Sequence, residues 1–563
     1  MHRRIALLSF SLCWMAMAAH SQIVVSPYSH YGIGDIFSTC GARSFGMGRI
    51  GIGAYDQASI NRLNPASYAD LRLTTFDFNG FVTYGSHNSS RNQQSVGTAG
   101  FHNVQLGFSN RKGFAIVAGI APYSTLGYEV RVRDSVLADT TYKPYTAIYS
   151  SSGGLNQLYL GFGVRFLKRV QAGINLQYAF GTNQFQYDTD FDDGSISTGS
   201  SLKTLQLKGT SPQLGLQYGD TIEIKTQVPR SREIRRQVEE LENEQEDLVS
   251  EAEELNKGGA KLDGWEAGKQ AKIEALDKER SVLEAAVKDL MTDERKNAKE
   301  IGNLQDKIYR HDKMKNKLSR EVKARRKENT EAIAKTAVRL DRVAQRIATL
   351  EKEGKEIEAG RKESVVTKTQ RYLVRLGTTY DAGFGLRGTQ LFRYSNTGIQ
   401  DTLTTDTGLV RLPMKLGFGL SISKPNKWML GADVSLQDWS KFSLFGQTST
   451  LHSAIGFNVG GEWIPELTSN RFARKTAYRI GGFYNASFLT LYGNPIKEIG
   501  ITAGIGLPIG VYNPVGQSHS RINLGVNLSR KGTLEDNLLR ELAIQFRLGV
   551  NLNDIWFIKR RID

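Results

Sequence analysis

The 563-residue chain has two cysteines, twelve prolines and, beyond residue 21, no run of 18 apolar residues. Two cysteines cannot staple a fold together, so a disulfide scaffold is excluded. Twelve prolines beside 57 glycines exclude a collagen repeat or a proline-rich disordered chain. Without a long apolar run no helix can cross a bilayer. The formal charge of +16 would point to nucleic acid if it were gathered on one domain. Where that charge sits matters more than its total, and nucleic acid is not expected as a partner.

The N-terminus reads as an export signal over residues 1–21. His2, Arg3 and Arg4 precede an apolar run from Ile5 to Ala19, and Ala19-His20-Ser21 supplies a small-residue cleavage site. Cys13 leaves with it, so Cys40 remains alone and no internal disulfide is expected.

Charge then divides the mature chain. Residues 230–363 carry 32 Lys/Arg and 31 Asp/Glu, whereas the other 429 residues carry 41 and 26. The flanking blocks read with period two. Leu158, Leu160, Phe162 and Val164 alternate with Tyr159, Gly161, Gly163 and Arg165; Leu542, Ile544, Phe546, Leu548, Val550 and Leu552 alternate with Ala543, Gln545, Arg547, Gly549 and Asn551. A soluble sandwich buries such an apolar face, and a membrane barrel turns it to lipid. Three features favour the barrel. The strands are long. Their polar face is Gly, Asn, Gln and Thr rather than Lys and Glu. Trp428 and Trp439 bracket one strand, at a spacing near the roughly 25 Å apolar band.

The pattern predicts a 14-stranded antiparallel transmembrane β-barrel. Expected up-strands are 72–84, 114–130, 170–187, 370–394, 427–439, 476–490 and 521–530. Expected down-strands are 100–109, 148–167, 201–218, 409–423, 451–463, 498–509 and 539–554. Short periplasmic turns alternate with long outer loops at 85–99, 131–147, 188–200 and 395–408. The expected organisation is 72–228 for strands 1–6, 229–366 for the charged insertion and 367–563 for strands 7–14.

Residues 22–71 are not strand-like. They hold Gly46-Met47-Gly48-Arg49-Ile50-Gly51-Ile52-Gly53 and Asn64-Pro65-Ala66 just before strand one. A Gly-rich element and an Asn-Pro-Ala motif ahead of a 14-stranded barrel resemble the FadL-type outer-membrane transport proteins. The Arg530-Lys531-Gly532 turn and the Trp556-to-Arg561 ending are similar to members from bacteria with type IX secretion. The resemblance implies a barrel closed at the periplasmic end by its own N-terminal plug. Hydrophobic ligands enter from outside, and a plug shift or a gap in the wall opens lateral passage. Asn64, Pro65 and Ala66 would take part in gating. Inward Arg165, Arg375 and Arg547 can grip a ligand carboxylate, since guanidinium offers a charge-assisted fork. They can equally pair with plug carboxylates such as Asp35, Asp56 or Asp70.

The Gly46–Gly53 stretch lacks the strand and helix of a phosphate loop. Asp188 to Asp193 offers hard oxygens but breaks the EF-hand pattern, with Asp193 where Gly belongs. No catalytic constellation falls on neighbouring inward strands, so neither an enzyme nor a cofactor nor a metal site is expected.

The insertion departs from the family. Ile234, Leu241, Leu248 and Leu255 step by seven, as do Leu276, Leu283 and Leu290. This predicts a long antiparallel coiled-coil hairpin, in the periplasm by strand parity. Equal arms turn near Asn297–Asn303, or alternatively at Arg310–Asn316, with a kink at Gly258-Gly259, Gly264 or Gly268. Each arm would reach about 90–98 Å. Residues 295–327 hold 13 basic and 4 acidic residues. That makes Lys313, Lys315, Lys317 and Arg320 a docking surface for a periplasmic protein, peptidoglycan or an anionic membrane. The barrel itself would lie in outer-membrane lipid and lipopolysaccharide. Two functions compete: passive uptake of hydrophobic small molecules, and a non-transporting scaffold or secretion accessory that uses the barrel as an anchor.

Overall fold

A computed structural model describes residues 26–554, except 91, 111, 139–140, 193–198, 292–293, 361–364, 397–398, 449, 468, 470 and 510–519. The export signal and Trp556 lie outside the described residues. The chain divides into two compact units, a sheet with its N-terminal segment and a helical insertion, Lys225–Gln370 with Ser469–Arg471.

Fourteen strands form the first unit among the described residues. They are β1 (Thr74–Asn88), β2 (Gln93–Ser109), β3 (Phe114–Ala138), β4 (Thr141–Arg165), β5 (Val170–Phe191) and β6 (Gly199–Pro229). After the insertion come β7 (Val365–Asp381 and Gly385–Asn396) and β8 (Ile399–Arg411 and Lys415–Lys424). The last six are β9 (Trp428–Asp438), β10 (Ser453–Trp463), β11 (Ala477–Leu491), β12 (Asn494–Pro508), β13 (Arg521–Gly532) and β14 (Arg540–Asp554). The barrel closes where β14 pairs antiparallel with β1, from Arg540 opposite Asn88 to Asp554 opposite Thr74. Closure removes the edges that lipid cannot hydrogen-bond.

Exposure follows the alternation. Leu158, Leu160, Leu176, Phe418, Val459, Ile501 and Phe546 stand exposed on the outside, while Gln157, Asn175, Gln177, Arg375 and Asn527 are buried within. Polar inside and apolar outside is the reverse of a soluble protein and fits a barrel set in lipid. No helix among the described residues is long and apolar enough to cross a membrane.

Four expectations are corrected. The loops expected at 85–99, 131–147 and 395–408 are largely strand, because β-prone alternation continues past the membrane band. Strands β7 and β8 each break, at 382–384 and 412–414; Pro413 removes a ladder donor there. Trp439 does not mark a membrane boundary. It is fully buried and stacks on Phe488, with ring centroids 4.2 Å apart. Trp428 and Trp463, directly opposite each other, do flank a strand end, with Tyr372 and Tyr478 beside them. The fourth correction concerns the hairpin.

The helical unit consists of α1 (Arg230–Leu290) and α2 (Glu294–Glu358), of 61 and 65 residues. At 1.5 Å per residue they reach about 92 and 98 Å. Helix runs unbroken through both windows predicted for the turn and through Gly258, Gly259, Gly264 and Gly268. The seam explains this. Ile301, Leu304 and Ile308 extend the heptad across the predicted turn. Near the glycines, Arg325 covers Trp265 and Lys269 meets Glu321 across the arms. That packing outweighs the roughly 1 kcal/mol cost of each helical glycine.

Candidate functional site

Three features converge in the barrel: an inner belt, a cavity and a split in the wall. The belt is built from residues 42–71, which travel around the inside against the strand order. Twelve of the fourteen strands place a glycine beneath it. A Cβ on Gly549 of β14 would stand 2.6 Å from Ala42, on Gly525 of β13 2.8 Å from Phe45, on Gly431 of β9 2.9 Å from Ile50, and on Gly163 of β4 2.6 Å from the Tyr68 Cβ. Backbone therefore lies against backbone around most of the circumference. That is what the glycine-rich polar face of the strands provides.

Asn64, Pro65 and Ala66 form the staple of the belt. Asn64 is extended, at φ −139°, as the following proline requires. Its Oδ1 accepts from the Ala66 N–H (3.0 Å), and its Nδ2 donates to the Ile52 carbonyl (2.9 Å) and the Leu216 carbonyl of β6 (3.2 Å). Pro65 sits over Gly173 and Gly215, where any side chain would collide with it.

The inward arginines fall into two groups. Arg165 and Arg375 both meet Asp70, which is fully buried. Arg165 Nη2 lies 2.8 Å from Asp70 Oδ1, Arg375 Nη2 donates to the same oxygen at 3.0 Å, and Gln171 Nε2 donates to it at 2.7 Å. Arg547 instead donates to the Cys40 carbonyl (2.7 Å) and covers the Phe45 ring. Sequence reasoning missed two further anchors. Glu462 of β10 takes Arg43 of the belt (2.8 Å) and Arg479 of β11 (2.7 Å). Asp433 of β9 accepts from the N–H groups of Gly51 (2.6 Å) and Ile52 (2.9 Å). The Gly-rich loop thus does cradle an anion, but the anion is a wall carboxylate.

Above the belt lies a cavity of about 950 Å³. Its lining is mixed. Phe37, Phe81, Tyr123 and Trp439 share it with Asp35, Lys531, Glu498, Lys415 and many amides. The Asp35–Lys531 pair, at 2.8 Å, ties the N-terminal segment to β13. A second cap comes from the β9–β10 connection, where the Phe445 ring rests on Gly388 and Gly408.

The wall splits between β2 and β3. Their ladder covers six rungs, from Ser109 opposite Ala115 to Val104 opposite Ile120, and stops. The next residues explain the stop. Pro122 has no N–H to donate, and β-bulges follow on both sides, next to Asn79/Gly80 on the β1–β2 pair and between Pro122 and Ser124 on β3. Beyond that point β2 pairs only with β1. The inner edge of β3 takes the N-terminal segment instead: Asp35 opposite Thr125, Ile36 opposite Ser124, and the Phe37 N–H on the Tyr123 carbonyl at 3.0 Å. Residues from both sides of the split, among them Phe81, Phe101 and Tyr123, line the cavity. Outside, at the last rung, Val104, Ile120, Leu158 and Leu160 line an apolar hollow of about 790 Å³. Pro122 inside a strand pattern was the sequence signal for this split.

In the hairpin, Lys315 lies in the seam with both carboxylate oxygens of Asp277 at 2.7 and 2.8 Å. Lys313, Lys317 and Arg320 are exposed. The turn lies near residue 291, so these four sit about a third of the way along α2 rather than at its tip. Of the acidic outer run, Asp188 accepts from Gln186, Asp192 pairs with Arg133, and Asp193 lies outside the described residues. No group of three potential metal ligands occurs among the described residues.

A closed barrel with lipid-facing exterior, an inner belt from its own N-terminus and an inserted helical hairpin defines a β-barrel of the outer-membrane type. The chain belongs to the BamG family: the family profile described as BamG matches residues 1–276 and 345–563, all but the distal part of the hairpin. A comparison with curated proteins finds no match. Among solved structures, the Pseudomonas putida toluene transporter TodX is 12% identical with a TM-score of 0.46, covering 92% of this chain and 99% of its own. The Ralstonia pickettii toluene transporter TbuX is 11% identical at 0.45, covering 91% and 98%. A Pseudomonas aeruginosa FadL homologue is 10% identical at 0.43, covering 92% and 99%. At such identity and superposition none of the three bears on what this chain carries.

Proposed function

We propose that the barrel passes hydrophobic small molecules sideways, between its cavity and the outer membrane, through the split between β2 and β3. The single observation carrying this reading is the six-rung ladder that stops at Val104 and Ile120, just before Pro122, beside the cavity and next to an apolar hollow on the lipid side. The belt closes the periplasmic direction, and the N-terminal residues 26–37, laid along the free edge of β3, gate the split. Joining a cysteine at Thr98 to one at Thr125 with a bis-maleimide, in a Cys40→Ser background, tests it. The joined protein in liposomes should slow entry of a hydrophobic dye severalfold, and reduction of a cleavable linker should restore it. Equal entry by joined and free protein would overturn the reading.

The hairpin serves as a periplasmic arm that contacts a partner. A cysteine in place of Lys313 should stay unlabelled by an impermeant reagent on intact cells; labelling there would reverse the side assignment.

A second reading, a non-transporting scaffold or secretion accessory, draws on a different observation. The belt is packed solid over its glycines, and charged groups and amides share the cavity lining with its aromatics. On this reading the joined and free barrels behave alike, and deleting the arm removes the function.

A further inference from the structure

The basic residues of the arm separate into two sets that composition alone merges. One set faces the seam. Ile301, Ile308 and Lys315 step by seven, as do Leu304, His311 and Leu318, giving a 3-4-3 spacing over 308, 311, 315 and 318. Ile301 and Leu318 are buried. Along this face Lys315 is answered across the arms by Asp277 and nearby Asp312 by Arg280 at 3.1 Å, and the His311 ring lies 3.7 Å from Glu279.

The other set is Arg310, Lys313, Lys317 and Arg320. It repeats the 3-4-3 spacing two residues later. Two residues are about 200° around a helix of 3.6 residues per turn, so this set occupies the face turned away from the seam. All four are exposed, and none has an ion partner among the described residues. They form a straight line about 15 Å long at 1.5 Å per residue. Neutral Asn316 and Ser319 lie beside it.

We propose that this line docks an acidic α-helix of another protein, one presenting carboxylates at i, i+3, i+7 and i+10. The proposal rests on the reading of the hairpin as a partner-contacting arm. The spacing selects the partner. A 3-4-3 line one residue wide is how a helix presents one face, and a second helix reproduces that repeat charge for charge. A flat anionic bilayer does not have it. Acidic side chains, Asp306 and Glu321, stand within one turn of the line, and the insertion as a whole is nearly neutral. A surface that averages charge over the screening length of about 8–10 Å meets the net positive charge of this stretch but does not match its spacing. A registered helix adds matched contacts strengthened by charge on both sides.

The test uses the full-length protein in lipid nanodiscs at 150 mM salt. One probe is an alanine-based helical peptide with glutamates on one face at that spacing. A second peptide of equal composition has them spread around the helix, and the third probe is phosphatidylglycerol vesicles. The one-face peptide should bind at least tenfold more tightly than the spread one. Lys313→Gln with Lys317→Gln and Arg320→Gln should lose at least tenfold, with an unchanged proteolysis pattern of the arm. Lys315→Gln, whose charge is already answered by Asp277, should change binding less than twofold. Equal binding of the two peptides, vesicles bound in preference to either, or equal losses from Lys315→Gln and the triple variant would overturn the proposal. The lateral-passage reading is untouched by any of these outcomes.

Discussion

Glycine does opposite work in the two units. In the barrel, Gly173, Gly215, Gly377, Gly460 and Gly481 are places where any side chain would collide with the inner belt. In the hairpin, Gly258, Gly264, Gly268 and Gly302 have nothing within 4 Å of where a side chain would begin. Charge shows the same contrast. Asp70 is a buried carboxylate and Glu462 a largely buried one, each held by two arginines. The hairpin leaves most of its charges in water, where each ion pair contributes about 0–1 kcal/mol. One unit is specified by shape and buried pairing, the other by a repeat.

The largest way to break the contrast is to give the wall a side chain. Gly215→Val places methyl groups where Asn64 and Pro65 sit, so the belt should detach while the strands still close. Protease cleavage within residues 42–71 of the folded barrel, together with raised uptake of small antibiotics, would show it. Intact protection of the belt would mean that the close approach is not what seats it.

Next in size is the buried triad. Asp70→Ala leaves Arg165 and Arg375 facing each other without a counter-ion. Removing one partner of a buried pair costs about 3–5 kcal/mol. The barrel should lose heat resistance on unstained gel shift assays, with Asp70→Asn intermediate. Replacing residues 26–35 by a Gly/Ser linker should leave heat resistance nearly intact and raise permeability, because that segment lies outside the belt.

Acid should destabilise the hairpin at its base. Hydrogen bonds from Arg236, and then from Gln237 and Lys368, hold the Glu233 carboxyl down at about 2, against the opposing effect of burial. A depressed folded value contributes stability that is present above the ordinary carboxylate range and lost as pH falls toward 2. Helicity of the arm should therefore soften between about pH 4.5 and 2, and Glu233→Gln should flatten that slope.

The smallest effect has the opposite sign. Gly264→Ala and Gly268→Ala should each stabilise the hairpin by about 0.5–1 kcal/mol, since only helix propensity changes. The same substitution in the belt wall destabilises. Thermal melting followed by helix circular dichroism reads the difference.

Much of this architecture was legible in the sequence. Alternation over Leu158–Val164 and Leu542–Leu552 gave strands whose centres and parity hold, because a period of two survives any small error at the ends. Heptads gave two helices of nearly the expected length. Asn64-Pro65 gave an extended residue before strand one. What failed had physical reasons. The turn of the hairpin was sought at equal arm lengths, although Thr292-Asp293 ahead of Glu294 is a helix-start signal. The glycines of α1 were taken for breaks because propensity was weighed without the cross-arm contacts. The belt was not legible, because a wall glycine shows its use only once the chain it faces is in place. Lys313 and Lys315 looked alike, although one faces outward and the other lies in the seam.

Amide hydrogen exchange along β2, in the liposome-embedded protein, tests the split most directly. If the ladder stops at Val104, the amides of residues 93–102 that point toward β3 should exchange far faster than those of β13, which is paired on both sides from Arg521 to Lys531. Pro122→Val, which restores a donor, should slow them. Protection along residues 93–102 equal to that of β13 in the unaltered protein would mean that the wall is continuous, and the lateral route would fall with it.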